Sequence, residues 1–370
     1  MNQQHQISRR HFIGTASAAA LAAGTLGTLG TINSMAAADE VVNASHLPRW
    51  RGFNLLEKFD AWHNGPFLES DFAWLAEWGF DFVRLPLSYR CWADSDPTKW
   101  LEIKESVLKD IDQVVDWGKQ YKIHVNINFH RAPGYCVNPP AEPLSLWKDE
   151  KALEASAYHW AHFAKRYKGI PSQRVSFDLL NEPGDYPEAD YFRVVKRLVE
   201  AIRAEDPTRL IIADGLKWGT SPVTSLAPLG IGQSTRGYEP MRISHYKASW
   251  IGGSDKWEEP TWPLKLKEGD VVDKERLRRE RIKPWQALEK LGVGVHVGEW
   301  GAFNRTPHAV AMAWMKDFLS LWKEAGWGWS LWNLRGPFGV VDSDRPGVTY
   351  ENFHGHKLDR AMLELLRQEG

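Results

Sequence analysis

Two glutamates, each two residues beyond the end of an apolar run, are candidates for acid–base chemistry. Glu182 follows the run 174–180, and Glu299 follows the run 293–297. A carboxylate beside a dry interior is costly unless it is paired or used in chemistry. Two such groups can divide one reaction, the first protonating a leaving oxygen while the second attacks the anomeric carbon or activates water. The pair favours hydrolysis of a glycosidic bond over the alternative, a structural ion pair with Arg84.

The elements that must position these glutamates alternate regularly between strand and helix. Apolar runs and period-two patterns predict strands over 51–55, 80–87, 123–129, 174–180, 210–213, 242–245, 293–297 and 327–332. Apolar residues at helical spacing predict helices over 68–78, 104–120, 147–168, 188–205, 274–291, 308–325 and 357–367. Alternation implies a parallel sheet, and eight units predict an α/β fold, a single-domain (β/α)8 TIM barrel. Long loops are expected after strands five and six, over 215–239 and 246–273.

Reactive groups in such a barrel cluster at the carboxyl ends of the strands. Six of the eight predicted ends carry polar or aromatic residues, and the motifs in chain order are Arg84-Leu85-Pro86, Asn128-Phe129-His130, Asn181-Glu182-Pro183, Ser244-His245-Tyr246, Gly298-Glu299-Trp300 and Leu331-Trp332-Asn333. All of these except the Ser244-His245-Tyr246 end closely resemble those of glycoside hydrolase family 5, the cellulase-like retaining family of the 4/7 barrel superfamily. The resemblance spans about 50–370 and implies hydrolysis by double displacement.

The resemblance also implies a role for each matching residue. Glu182 would be the acid/base and Glu299 the nucleophile. Asn181 would bond the sugar 2-hydroxyl, and Arg84 would orient Glu299. The remaining two residues would line subsite −1, where His130 forms part of the wall and Trp332 forms the stacking floor.

The sixth strand end departs from the family pattern, which is histidine, any residue, tyrosine. Here His245 and Tyr246 are adjacent. If Tyr246 fills the tyrosine position, Ser244 stands where the histidine belongs. If His245 fills the histidine position, the tyrosine is displaced by one residue and turned to the other face of the strand. We favour the first alignment, because the tyrosine hydroxyl supports the nucleophile, and we keep both residues as candidates for substrate binding.

The first 38 residues predict a twin-arginine signal peptide. Arg9 and Arg10 precede the uncharged stretch 16–38, which is rich in Ala, Gly, Thr and Leu and ends in small residues suited to a signal peptidase. The interrupting Gly, Thr and Asn residues disfavour a transmembrane anchor. We therefore expect export to the periplasm or beyond, with residues 39–370 forming the catalytic barrel.

Tryptophan is unusually abundant, with 20 in 370 residues. Indole rings stack on the C–H faces of sugars, but they also pack loops and cores. Those expected on loops of the catalytic face are Trp62, Trp92, Trp218, Trp250, Trp257, Trp262 and Trp300. Those expected in the core are Trp74, Trp78, Trp117, Trp160, Trp314, Trp322, Trp327 and Trp329.

The sequence as a whole predicts a monomeric retaining glycosidase that needs no metal or cofactor and cleaves a β-linked glucan internally. The alternatives are an exo-β-1,3-glucanase or β-mannanase of the same family, a transglycosylase, or an inactive carbohydrate-binding barrel. A formal net charge of −1 argues against nucleic acid or an anionic membrane as the partner. Cys91 and Cys136 follow neighbouring strands and are either bridged or free thiols.

Overall fold

Eight parallel strands close into a barrel in the computed structural model, which describes residues 42–266 and 269–370. The strands are β1 (Arg51–Asn54), β2 (Phe82–Ser88), β3 (His124–Ala132), β4 (Val175–Asp178), β5 (Ile211–Asp214), β6 (Gly232–Gly237), β7 (Val295–Trp300) and β8 (Gly328–Leu331). Each pairs in parallel with its successor, and β8 pairs back to β1 through Arg51 and Trp329, which closes the sheet. The predicted TIM barrel is confirmed.

Helices cover the outside of the barrel. They are α1 (Glu69–Trp78), α2 (Glu105–Tyr121), α3 (Glu150–Arg166), α4 (Glu188–Glu205), α5 (274–289, with a π-helical turn at Arg278–Ile282), α6 (His308–Ala325) and α7 (Arg360–Glu369). Between β5 and β6 the chain forms only the short turns Leu216–Gly219 and Thr224–Leu229. In α2 the buried residues Leu108, Ile111, Val114 and Val115 form one stripe, which explains why apolar spacing located the helices.

The sixth strand is where the prediction from sequence was wrong. Residues 242–245 are not a strand, since the short helix Met241–Ser244 occupies that position. The strand is β6, ten residues earlier, inside the segment expected to be a loop. Its sequence, GQSTRG, contains no apolar residue, yet all six residues are buried. Hydrophobic periodicity cannot find a strand whose inward side chains are polar and whose outer face is partly glycine.

Close packing explains the glycine at the carboxyl end of β6. A Cβ at Gly237 would lie 2.7 Å from both Trp300 Cβ and the Trp322 ring.

Trp300 itself is fully buried between Trp322 and Trp329, so it is a core residue and not the loop residue expected. Trp92 is likewise fully buried, where its indole N–H donates to His159. The predicted stacking surface therefore loses these two rings.

The amino end of the barrel has its own apolar cover, formed by Leu47, Trp50, Phe82, Leu210 and Ile212.

Both cysteines are free thiols, and each lies against a backbone carbonyl. The proposed signal peptide lies outside the described residues. Over 42–266 and 269–370, no helix is long and apolar enough to cross a membrane.

Candidate active site

Arg84 is the hub of a buried polar cluster at the carboxyl end of the barrel. Its side chain is 1% exposed and donates from all three guanidinium nitrogens. Nη1 donates to Glu299 at 2.6 Å, Nε to Asp178 at 2.8 Å and Nη2 to Asn181 at 2.8 Å. Nη1 also reaches Asn54, at the end of β1, at 3.1 Å. A planar fork bound on several sides has little freedom, so the hydrogen bond from Arg84 restricts the orientation of the Glu299 carboxylate.

A bulge near the end of β7 places Glu299. The pairing of β7 with β6 shifts register between Val297 and Glu299, so Gly298 is the extra residue. A Cβ at Gly298 would lie 2.7 Å from Arg236 Nη1, and glycine therefore leaves room for that guanidinium. The second carboxylate oxygen of Glu299 accepts from the Tyr238 hydroxyl at 3.1 Å.

Glu182 sits on a strained backbone four residues after the end of β4. Its φ is 50°, a left-handed conformation that is uncommon for a residue with a side chain. Two contacts hold it there, since its N–H donates to Asp214 at 2.8 Å and its carbonyl accepts from the Tyr135 hydroxyl at 2.7 Å. Such strain persists where the surroundings over-determine it, and it is frequent at functional sites.

The two glutamates have different electrostatic environments. Burial, reinforced by the negative charge of Glu299, raises the pKa of Glu182 to about 8. Among the residues that the structure describes, only Arg236 opposes this rise with a direct hydrogen bond to the Glu182 side chain, from Nε at 3.0 Å. Glu299 instead accepts from Arg84 and Tyr238 and faces Arg236 Nη2 at 3.5 Å. Glu182 is therefore held protonated near neutral pH, while Glu299 lies among hydrogen-bond donors, and two carboxyl groups in such different environments can take different parts in one reaction.

Three charged members of the cluster were missed at the sequence level: Asp178, Asp214 and Arg236. Asp214 ends β5 and pairs with Arg236 through both carboxylate oxygens. Burial, followed by the charge of Asp214, raises the pKa of Asp178 to about 7. A signal existed for the two aspartates, because each is a lone charge in or directly after an apolar run. No such signal existed for Arg236, because its strand was not recognised from the sequence.

One wall of the site is aromatic. Trp332, half-buried after β8, stacks on His130 with ring centroids 5.8 Å apart and planes 26° apart. Phe59 packs on both rings. Burial and the neighbouring arginines hold the pKa of His130 well below its usual range, so the imidazole is neutral. A neutral histidine beside a half-exposed indole suits an uncharged, flat-faced ligand.

Comparison with known proteins decides the family. The model of the cellulase family, glycosyl hydrolase family 5, matches residues 36–336. The chain belongs to glycosyl hydrolase family 5. Endoglucanase C of Acetivibrio thermocellus is 27% identical over 307 residues, which cover 76% of this chain and 88% of that protein.

Solved structures agree with this family. A structure described as a glycoside hydrolase is 42% identical, has a TM-score of 0.82, and covers 87% of this chain and 99% of its own. Endoglucanase Cel5A of Thermotoga maritima, at 22% identity and TM-score 0.70, covers 86% and 96% and shares the fold. This family 5 chain is therefore a glycosidase that hydrolyses glycosidic bonds.

The family's histidine–any–tyrosine pattern lies on β6, not at 244–246. Arg236-Gly237-Tyr238 occupies it, and Tyr238 is the tyrosine that bonds Glu299. The alignment of Tyr246 with that position was wrong, because Tyr238 makes the contact with Glu299, while the ring of Tyr246 lies under Lys247. His245 is near the site, since its ring contacts Tyr238 with centroids 5.1 Å apart. Burial lowers the pKa of His245 to about 4, so it is neutral there.

Three of the seven expected loop tryptophans are well exposed. Trp62 is 93% exposed, Trp218 52% and Trp250 56%. Trp62 lies in the loop after β1, between cavities of about 440 and 380 Å³. The main chain of Trp218 donates to Pro183, directly after Glu182. These rings lie on the loops that follow β1, β5 and β6, which all leave the carboxyl end of the barrel.

Proposed function

We propose that this family 5 enzyme is a retaining β-glycosidase that cleaves a β-linked glucan internally. The observation that carries the proposal is the asymmetric pair formed by Glu182 and Glu299 around one guanidinium, with Arg236 at 3.0 Å from the first and 3.5 Å from the second. Two carboxyl groups that share one guanidinium lie close together. That supports the shorter separation of about 5 Å that retaining enzymes use, over the wider gap that inverting enzymes need for water.

In the first step of the proposed reaction, a Glu299 oxygen bonds to the anomeric carbon as the glycosidic C–O bond breaks. The proton of Glu182 moves to the leaving oxygen. In the second step, water attacks the same carbon, one of its protons moves to Glu182, and the bond to Glu299 breaks. Arg84 and Tyr238 hold the Glu299 carboxylate before attack and receive it again afterwards.

Two further contacts support sugar binding beside this pair. Asn181 Oδ1 accepts from both Arg84 and Arg236, at 2.8 and 3.0 Å, which fixes the amide. Its Nδ2 is buried and has no hydrogen-bond partner among the described residues. A buried donor without a partner is costly in a folded protein. We assign it to the substrate 2-hydroxyl, with Trp332 as the floor beneath the same sugar.

The test is trapping with a 2-deoxy-2-fluoro β-glycoside that carries a good leaving group, followed by peptide mass spectrometry. We expect one sugar to attach to the peptide that contains Glu299, and no labelling of Glu299→Gln. Turnover of an aryl β-glycoside should fall by about a thousandfold or more in Glu299→Gln. Labelling elsewhere, or equal turnover by wild type and Glu299→Gln, would refute the assignment.

Internal cleavage of a β-glucan is supported by the exposed rings of Trp62, Trp218 and Trp250 around the mouth. The name of the Acetivibrio thermocellus relative agrees with this choice. An exo-β-1,3-glucanase or β-mannanase would keep the same two glutamates. Product sizing on cellulose oligomers, β-1,3-glucan and mannan separates the three, and products longer than the acceptor would reveal transglycosylation.

We also propose that residues 1–38 direct export by the twin-arginine route. The support is the Arg9-Arg10 pair before the uncharged stretch 16–38. Replacing both arginines by lysine should retain the full-length precursor in the cytoplasm, as measured by fractionation. Equal export of the lysine variant would refute the proposal.

A further inference from the structure

One arginine lies between the two candidate catalytic carboxylates. Besides Glu182 and Glu299, Arg236 binds Asp214 through Nη1 and Nη2, and its Nη2 donates to Asn181 at 3.0 Å. Its side chain is 1% exposed. A guanidinium bound on every side cannot swing away, and it keeps its charge at any pH at which the protein folds. The family pattern has a titratable histidine at this position.

We propose that Arg236 is a positioning residue whose permanent charge lets Glu182 act as acid while Glu299 is ionised and as base once Glu299 is esterified. This inference rests on the proposed double displacement. Before the first step, two carboxyl groups compete for the guanidinium. Once the anomeric carbon is bonded to Glu299, that group carries no charge, and Glu182 is the one remaining catalytic carboxylate that Arg236 faces.

The charges around Arg236 explain why its effect falls mainly on Glu182. Arg84 and Arg236 face four carboxyl groups, which belong to Asp178, Asp214, Glu182 and Glu299. Two retained protons make the cluster neutral, and the raised pKa values of Asp178 and Glu182 place them there.

The other titratable neighbours add no charge near neutral pH. Burial raises the pKa values of Tyr135 and Tyr238 well above the usual range, while His130 is uncharged. Loss of the charge of Glu299 therefore acts mainly on Glu182, whose pKa must fall. Arg236 supplies the attraction that makes Glu182 a carboxylate at that stage.

The test compares Arg236→Gln, Arg236→Lys and Arg236→His with wild type. With the positive charge removed in Arg236→Gln, the pKa of Glu182 rises. The alkaline limb of kcat/KM for an aryl β-glycoside should therefore move up by about one pH unit. On a dinitrophenyl β-glycoside, whose leaving group needs no acid, kcat should fall about 10- to 100-fold, because water attack lacks its base. Azide needs no base, so it should recover that loss.

Two further variants separate charge from packing. Arg236→Lys should retain the wild-type alkaline limb, and Arg236→His should introduce an additional ionisation. Ser234→Ala is the matched control, because it removes a neutral partner of Arg236 Nη1, at 3.0 Å, without changing any charge. Its pH profile should coincide with that of wild type, and circular dichroism will verify that each variant is folded.

A uniformly lower rate with an unshifted pH profile and no response to azide in Arg236→Gln would overturn the inference, and Arg236 would then be structural. That result leaves the proposed function intact, because wild type still turns over. Absence of turnover by wild type on all glycosides, or labelling away from Glu299, refutes the proposed function instead.

Discussion

The two ends of the barrel interior are both polar, but a cluster of arginines and carboxylates lies at the carboxyl end, whereas neutral histidines lie at the amino end. At the carboxyl end, arginines and carboxylates surround Glu182 and Glu299. At the amino end, His124 contacts Ser176 at 2.7 Å and stacks on Trp50, with ring centroids 3.7 Å apart. Burial lowers the pKa values of His124 and His296 to about 3, so both rings are neutral.

The difference separates two uses of buried polar groups. At the covered amino end the buried groups are neutral, and His124 and Asn126 both bond Ser176, which lowers the cost of burying them. Charged groups at the open end lose solvation and respond by shifts in pKa, the more so because acids outnumber bases. We therefore expect changes at the amino end to alter stability and changes at the carboxyl end to alter chemistry.

The largest expected effect contrasts two equally buried arginines. Arg84 and Arg209 are each 1% exposed at the side chain, but Arg209 lies just before β5 and binds Asp206 and backbone carbonyls. Lysine keeps the charge and loses the fork. Arg84→Lys should lower kcat by at least about a hundredfold, because Glu299 is no longer held. Arg209→Lys should lower the melting temperature with kcat within about twofold of wild type.

Both rates must be measured on folded protein at 25 °C, with melting followed by calorimetry. A large loss of kcat in Arg209→Lys would contradict the division between the two ends. So would a normal kcat in Arg84→Lys.

The same contrast explains what could be predicted from the sequence. Seven strands were located because their outward faces are apolar against the helices. A charge close to the end of an apolar run is conspicuous, and this is how Glu182 and Glu299 were found. The strand β6 escaped because its burial is achieved by polar side chains that bond one another and by Gly237 under Trp300 and Trp322.

The errors that concern Arg236, Tyr238 and Tyr246 follow from that one strand. With β6 unseen, Arg236 and Tyr238 had no assigned position, and Tyr246 was given the role that Tyr238 fills. Tertiary contacts also determine which of the tryptophans are buried. Trp92 and Trp300 follow the predicted ends of their strands, as loop residues would, yet both are buried. Sequence spacing shows where a residue lies along the chain. It does not show whether the side chain of a loop residue points into solvent or packs into the core.

The second prediction removes the cover of the amino end. Trp50 is 7% exposed and stacks on His124. Trp50→Ala should cost about 3–5 kcal/mol, which lowers the melting temperature by about 10 °C in a chain of this size. The kcat of the folded fraction should match wild type. Loss of kcat without loss of stability would show that the amino end acts on chemistry.

The third prediction concerns the stability cost of Glu182. Because its pKa is raised from 4.5 to about 8, the native state holds a proton that the unfolded chain releases, and stability falls as pH rises between those values. Glu182→Gln removes this cost. Its melting temperature should exceed that of wild type by about 5 °C at pH 8.5 and by close to nothing at pH 4.5. An equal difference at both pH values would indicate a packing effect only.

The smallest expected effect concerns the neutral histidines, whose pKa values are lowered, whereas the pKa of Glu182 is raised. The pKa of His296 is lowered from 6.5 to about 3. Between these pH values His296 is therefore protonated in the unfolded chain but not in the native state. Stability is therefore lost as pH falls through this window, with about 1 kcal/mol lost per histidine between pH 7 and pH 5.5. His296→Gln should lose that much less over the same interval in urea unfolding, whatever its stability at pH 7. If wild type and His296→Gln lose stability in parallel, the amino end is not kept neutral at a cost, and the contrast between the two ends lies in packing alone.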